Sequence, residues 1–420
     1  MGFLILGLVL LIASFCFKGI HRGWILLPVW VIYLLFEFSL GLLAKYFIQE
    51  KANYQFEFSN TYIVVLIISI LCLFGGAYLY KILLPNYSFG SQKKLESNKI
   101  VALEGALQKV VIFLFIIFFP VSIKMIFSYL SSSSIDNRNS IISSLSGFEF
   151  LTYKIGLVIV CLLGFYRHRK KNFLYDLLLV YILVSYYAYG ARFLLFSAII
   201  LFVLIFYFNK LKVLKGWQVF ILVLMYLILS VFFANTRYYM SNGDSFEQSI
   251  TYEKFMSTAF MQTGGNWLDF SRVENSNAKI DLSKNFFPTI LEGFLPESIR
   301  SAFFKDFFSE RLSYGKYFAG KINEDENALR LNFNNEIFFS FGYFGVIFFS
   351  ILLGFLFEYF QRFLSSSYYP ISIFFMLQIL SLHILGSNTF SNSLILCVVA
   401  QYSLSFIVRK RSKVSLKRKV

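Results

Sequence analysis

The feature that most constrains this chain is a series of about eleven apolar blocks, most of them close to the twenty residues needed to span about 30 Å of hydrocarbon as a helix. They fall at 2–17, 24–47, 61–80, 110–130, 148–165, 173–187, 193–208, 217–234, 337–360, 371–387 and 393–408. A helix lying on a soluble core would interleave polar residues at its 3.6-residue period, and these blocks do not. Only 15% of the residues are charged, too few to clothe so much apolar surface in water. The expected fold is an all-α polytopic membrane protein with about 11 transmembrane helices and one large extracytoplasmic loop.

Charge sets the expected orientation. The formal net charge is +16, and its basic residues gather at 18–22, 93–94, 167–171, 210–215 and 409–419, nearly all beside an apolar block. Such clusters stay on the cytoplasmic side, so the basicity reads as topology and not as affinity for nucleic acid. The N-terminus is then expected outside and the C-terminus in the cytoplasm. The first block has no basic residue before it and Lys18 and Arg22 after it, the reverse of a secretory leader.

That topology leaves one long external segment. The chain divides into a membrane bundle at 1–234, a large loop subdomain at 235–336, a second bundle at 337–408 and a basic tail at 409–420. The loop holds 14 acidic and 11 basic residues, a net −3 against +19 for the remainder. Its many Phe and Tyr residues and Trp267 favour an ordered unit. Gly264-Gly265-Asn266 reads as a turn within it. Pro296 reads as the first position of a helix whose Ile299, Phe303, Phe304, Phe307 and Phe308 share one face. That face suits either the membrane interface or the loop's own core.

Four cysteines, Cys16, Cys72, Cys161 and Cys397, all lie inside apolar blocks, so no disulfide is expected. His21, His168 and His383 form no metal-binding pattern with them, and neither metal nor cofactor is expected.

Among residues able to carry chemistry, Arg192 stands out. It closes Ala188-Tyr189-Gly190-Ala191-Arg192, a tight external turn between two spans. A guanidinium there costs free energy unless paired or wet, and its planar fork fits phosphate oxygens bidentately. The bland alternative is an arginine snorkelling to lipid headgroups. Arg237 follows the eighth block and is a candidate partner, with Arg300, Arg311 and Arg330 as further cations. Candidate bases are Glu297 beside Arg300, Glu336 directly before the ninth block, and Glu37 inside the second. Lys124 and Lys154 lie near outer block ends and read as snorkelling cations. Pro120 interrupts the fourth block, with no matching break in the other half of the chain that would suggest a transporter repeat.

No phosphate-binding GxxxxGK loop, H-E-x-x-H or G-x-S-x-G is present, and the first external loop has no D-x-D. Two segments remain: Gly190-Ala191-Arg192, and Asn334-Asn335-Glu336-Ile337-Phe338-Phe339-Ser340-Phe341-Gly342-Tyr343-Phe344-Gly345. With the topology, they resemble the O-antigen polymerase (Wzy-type) family, which joins bacterial oligosaccharide repeat units. The first is similar to the family's small-residue-then-Arg element. The second resembles the end of its large loop, where polar residues lead into an apolar span with G-x-x-G. An R-x10-G pattern found in some polymerases is absent.

The resemblance implies a metal-independent glycosyltransferase of the bacterial cytoplasmic (inner) membrane. Its donor and acceptor would be polyprenyl-diphosphate-linked oligosaccharides, joined into O-antigen or capsule-like polysaccharide at the outer face. Arg192, Arg237 and Glu336 would be catalytic, and Arg300, Arg311, Arg330, Asn334, Asn335 and Glu297 would bind substrate. The lipid bilayer and a chain-length regulator protein are the further partners implied. The rivals are a lipid-linked oligosaccharide flippase or other transporter, and an O-antigen ligase, although ligases usually carry a His before an Asn in the large loop and this loop has no His.

Overall fold

The computed structural model describes residues 2–21, 24–49, 59–84, 100–131, 147–167, 173–189, 192–208, 265–277, 279–292, 331–365, 369–385 and 390–417, with a few isolated positions at 251, 295, 299, 302–304 and 306–307. Among the described residues every regular element is a helix. Four of these helices are long and apolar enough to cross a membrane: Asn60–Leu83, Gly105–Ser128, Glu149–Tyr166 and Phe333–Leu364. The chain forms two compact units that interleave in sequence. One comprises Met1–Pro85, Val213–Phe286 and Arg311–Gln361, and the other Asn86–Lys212, Phe287–Glu310 and Arg362–Val420.

The first unit contains α1 (Gly2–His21), α2 (Leu26–Gln49), α3 (Asn60–Leu83), α8 (Gly265–Asn275), a π-helical turn at Leu282–Phe286, and α10 (Phe333–Gln361). Its spine is the pair α3 and α10, which run parallel. Apolar residues alone do not bring helices together in lipid, so close association needs small residues that let backbones touch. Gly76 and Gly354 do this reciprocally. A Cβ on Gly76 would strike the Ile351 carbonyl, and one on Gly354 the Leu73 carbonyl. Tyr80 then packs edge-on against Phe355 and Tyr359, one turn nearer the helix ends.

At that end the polar groups are tied together. The Trp24 indole donates to Glu358 at 3.0 Å, and Lys81 lies 3.6 Å from the other carboxylate oxygen and 4.8 Å from the Trp24 ring. The Gln361 side-chain oxygen accepts from the Ile25 and Leu26 amides at 3.0 and 2.8 Å, satisfying two orphan donors at the start of α2. The Lys81 side chain is 52% exposed, so its ion pair adds little stability.

The second unit contains α4 (Ile100–Ser131), α5 (Gly147–Arg167), α6 (Phe173–Tyr189), α7 (Arg192–Phe208), α9 (Phe287–Glu292), a 3₁₀ turn at Arg362–Ser365, α11 (Tyr369–Leu385) and α12 (Phe390–Lys417). Helix α5 is the central post, buried continuously from Leu151 to Tyr166. Its neighbours alternate in direction. Phe118 of α4 stacks on Tyr153 while Lys124 pairs with Glu149 at 3.1 Å, so α4 runs antiparallel to α5. On α6, Tyr186 meets Tyr153 and Tyr175 meets Tyr166, again antiparallel. Such alternation is what a chain threading back and forth through a bilayer requires.

Helix α4 runs without a break through Pro120. Proline donates no backbone hydrogen bond, and beside it Ser122 Oγ donates to the Phe119 carbonyl at 2.8 Å. The broken helix is instead α10, at Gly342.

Candidate functional site

Three polar residues open α10. Asn332 caps it: its Oδ1 accepts from the Asn335 amide at 2.9 Å, and its carbonyl accepts from the Glu336 amide at 3.0 Å. Asn335 and Glu336 are 1% and 2% exposed, Asn332 is buried, and Asn334 is half-buried. Buried amides and carboxylates at the head of an apolar helix are expensive and mark a site by default.

The break nine residues on sets this head apart. Gly342 has φ 63° and ψ −156°, a region essentially restricted to glycine, and no atom lies within 4 Å of where a Cβ would stand. The chain folds sharply enough that Gly345 brings its would-be Cβ 2.5 Å from the Phe341 Cβ. The G-x-x-G element thus works as a joint: Gly342 makes the bend and Gly345 clears room for it. A short arm carrying Asn335 and Glu336 is thereby re-aimed relative to the long arm that packs on α3.

Helix α8 roofs that short arm. Phe270 is fully buried among Tyr62 of α3 and Phe338 and Phe339 of α10, with ring centroids 5.3, 5.4 and 4.9 Å away. Ser59 accepts from the Tyr62 amide at 3.1 Å as the N-cap of α3 and donates to Glu274 of α8 at 2.5 Å. Asp269 is buried beside Arg272 at 3.9 Å. Asn277, at φ 52°, takes the left-handed conformation that asparagine tolerates and ends the helix. Beyond it, Asp281 accepts from Ser283 Oγ and from the Ser283 and Lys284 amides, which holds its carboxyl below the usual range, the Ser283 side chain contributing most.

The sequence-derived candidates are therefore divided. Asn334, Asn335 and Glu336 stand together at the head of α10, and the roof helix α8 carries a buried acid of its own, Asp269. Arg192 is the first residue of α7, in the other unit. Arg237, Arg300, Arg311, Arg330 and Glu297 lie outside the described residues. Asn332, Asp269, Arg272 and Glu274 were not picked out from sequence. Asn332 carries a readable signal, an Asn three residues before a paired amide at a helix start. Asp269 does not, since an acid in a polar loop normally reads as solvated. Gly265-Asn266, expected in a turn, begins α8 instead, because Phe270 and Val273 supply a buried face that a turn would leave unused.

The two lysines expected to snorkel part company. Lys124 is half-exposed and paired with Glu149. Lys154 is 1% exposed, its ammonium 4.4 Å from the Phe150 ring centroid and without a hydrogen-bond partner among the described residues. A cation–π contact contributes about 0.5–2 kcal/mol. Withdrawing an unpaired ammonium from water costs several kcal/mol, so the contact does not offset it. The reason for the difference is position: α5 is buried continuously from Leu151 to Tyr166, so the Lys154 ammonium lies inside the unit and not at a helix end in water.

All four cysteines are free, and no group of three His, Cys, Asp or Glu side chains converges among the described residues. No family model, curated protein or solved structure compared with this chain matches it. What stands, among the described residues, is a set of helices, four of them long and apolar enough for a lipid bilayer, and a buried polar head on a broken helix.

Proposed function

We propose that this protein is a polymerase that joins polyprenyl-diphosphate-linked oligosaccharide units into a surface polysaccharide at the outer face of a bacterial cytoplasmic membrane. The observation that carries the reading is the buried Glu336 at the head of α10, set off by the glycine joint and roofed by α8. A carboxylate so placed has the chemistry of a general base. The acceptor hydroxyl would attack the anomeric carbon of the donor sugar as its bond to diphosphate breaks. The lipid diphosphate departs with the bonding pair, and Glu336 takes the hydroxyl proton. The arginines read from the sequence, Arg192, Arg237, Arg300, Arg311 and Arg330, are the candidates for balancing the diphosphate charge, each on its sequence reading alone. Asn334, Asn335 and Glu297 are assigned to sugar hydroxyls, and no metal is needed where guanidinium groups supply that charge.

The test is Glu336→Gln, which keeps shape and loses basicity. Purified variant and wild type would be supplied with lipid-linked repeat units and scored by gel for products longer than one unit. Loss of a general base lowers turnover by about a hundredfold or more, while the variant still purifies as a folded protein. Equal polymer from both would remove Glu336 from the chemistry.

A second reading is a carrier for the same lipid-linked substrate. It draws on the broken α10 and the buried Lys154, since interrupted helices and enclosed charges also serve transport. A carrier moves single units across vesicles and leaves their length unchanged, so the same gel separates the two.

A further inference from the structure

Lys154 is not an isolated anomaly. In the same unit Ser197 Oγ of α7, Gln378 Oε1 of α11 and Asn392 Oδ1 of α12 are also buried without a hydrogen-bond partner among the described residues. Buried polar atoms are nearly always satisfied, so each such atom calls for an explanation, and here four come from four different helices.

Helix register places them at a similar depth. Cys161 Sγ of α5 donates to the Pro370 carbonyl of α11 at 3.7 Å, and Tyr369 packs on Phe165, so α11 starts beside the last turns of α5 and runs antiparallel to it. Eight residues onward along α11 and eight back along α5 bring Gln378 level with Tyr153. Ser393 Oγ donates to the Gln378 carbonyl at 3.5 Å, which sets Asn392 at the same height. On α7, Phe202 and Ile205 pack against Gly164, and α7 runs parallel to α5 because two short connections join them through α6. Ser197 then falls a turn or so from Lys154. The spread along the axis is about 5–7 Å, at 1.5 Å of rise per residue.

The groups are chemically mixed in an informative way. Lys154 offers charge and donors only, while Gln378 and Asn392 present acceptor oxygens that want hydroxyl or amide donors. Water alone could satisfy the oxygens but leaves the ammonium without a counter-ion. One molecule that supplies both is an anion carrying hydroxyl groups. We propose that Lys154, Ser197, Gln378 and Asn392 form a binding site within this unit for the head of a lipid-linked saccharide, its diphosphate toward Lys154 and its first sugar toward Gln378 and Asn392. The assignment rests on the substrate class of the proposed function, which the polymerase and carrier readings share. The site's setting among apolar helices favours a ligand delivered on a lipid over one free in water.

The experiment measures binding by the full-length purified protein, with a short-chain polyprenyl-diphosphate-linked monosaccharide as probe and inorganic diphosphate as the free anion. Lys154→Met removes the charge at nearly constant volume, and Gln378→Leu removes one acceptor. Without probe, Lys154→Met should melt at or above the wild-type temperature, because a buried uncompensated charge is gone. Its affinity for the probe should fall about ten- to a hundredfold, the value of one charge-assisted hydrogen bond. Gln378→Leu should weaken binding of the sugar-bearing probe more than binding of the same lipid diphosphate without sugar. Probe affinity unchanged in Lys154→Met would overturn the site, and so would equal affinity for inorganic diphosphate, which would leave sugar and lipid no part in it. The two claims separate cleanly. Binding that depends on Lys154 without any polymer keeps the site and removes the polymerase, whereas polymer made at wild-type rate by Lys154→Met does the opposite.

Discussion

Replacing Gly342 with alanine isolates the backbone from everything else at the joint of α10. The added Cβ meets nothing within 4 Å, so no side chain needs to move and no cavity changes. What changes is the conformation the residue can hold. At φ 63° and ψ −156° an L-residue is strained by about 1–3 kcal/mol. Gly75→Ala is the matched control, because it too meets nothing within 4 Å but lies in regular α3. There alanine should stabilise by about 0.5–1 kcal/mol. The two substitutions add the same methyl group and should shift stability in opposite directions. Thermal unfolding of the detergent-purified proteins, read by loss of the monodisperse peak on size-exclusion chromatography, would compare them directly. If the strained variant relaxes by straightening the joint, the short arm swings and Glu336 moves, so polymer yield should fall further than stability does. Gly342→Ala melting at or above the wild type, alongside Gly75→Ala, would refute the joint.

Gly76→Val should be far more disruptive than Gly75→Val, since the new side chain meets the Ile351 backbone and not a side-chain tip. Overpacking of this kind costs about 1–3 kcal/mol or more, readable in the same melt. Arg192→Lys keeps a positive charge and loses the bidentate fork, so turnover should drop about ten- to a hundredfold with normal membrane yield. A snorkelling arginine would let lysine substitute freely. Asp281 ionises below its ordinary value, so its contribution to stability is present above the unfolded pKa of about 4 and is lost as pH falls through the lower folded value. Wild type should accordingly lose its melting advantage over Asp281→Asn on acidification from pH 5 toward pH 3, and a difference independent of pH would remove that linkage.

The apolar blocks that fall within the described residues are helical, four of them long enough to span, because a backbone in lipid must satisfy its own hydrogen bonds; the block at 217–234 lies outside the described residues. The starts of α3, α7 and α10 fall within a few residues of blocks read from sequence. Polar detail was less legible. Lys154 lies seven residues from the start of α5, a depth from which a lysine stem reaches a surface if the helix is peripheral. Only the packing of α5 at the centre of its unit decides otherwise, and that is a tertiary fact. The segment 334–345 was visible as polar residues leading to G-x-x-G, yet its spacing does not distinguish a smooth close-packed helix from a bent one. Of this pair only Gly342 carries a positive φ, and two glycines three apart look equivalent in a string of letters. Asp269 was missed for a similar reason: its burial is produced by Phe270 docking on α3 and α10, partners far away in sequence.

The most direct measurement of the central claim uses wild-type protein in vesicles, a single species of polyprenyl-diphosphate-linked repeat unit, and a metal chelator throughout. Products are released from lipid by mild acid and separated by size. The account predicts a ladder whose rungs are one repeat unit apart, growing with time and undiminished by the chelator. Recovery of the starting unit alone, unlengthened but moved from one side of the vesicle to the other, would contradict it and make the protein a carrier.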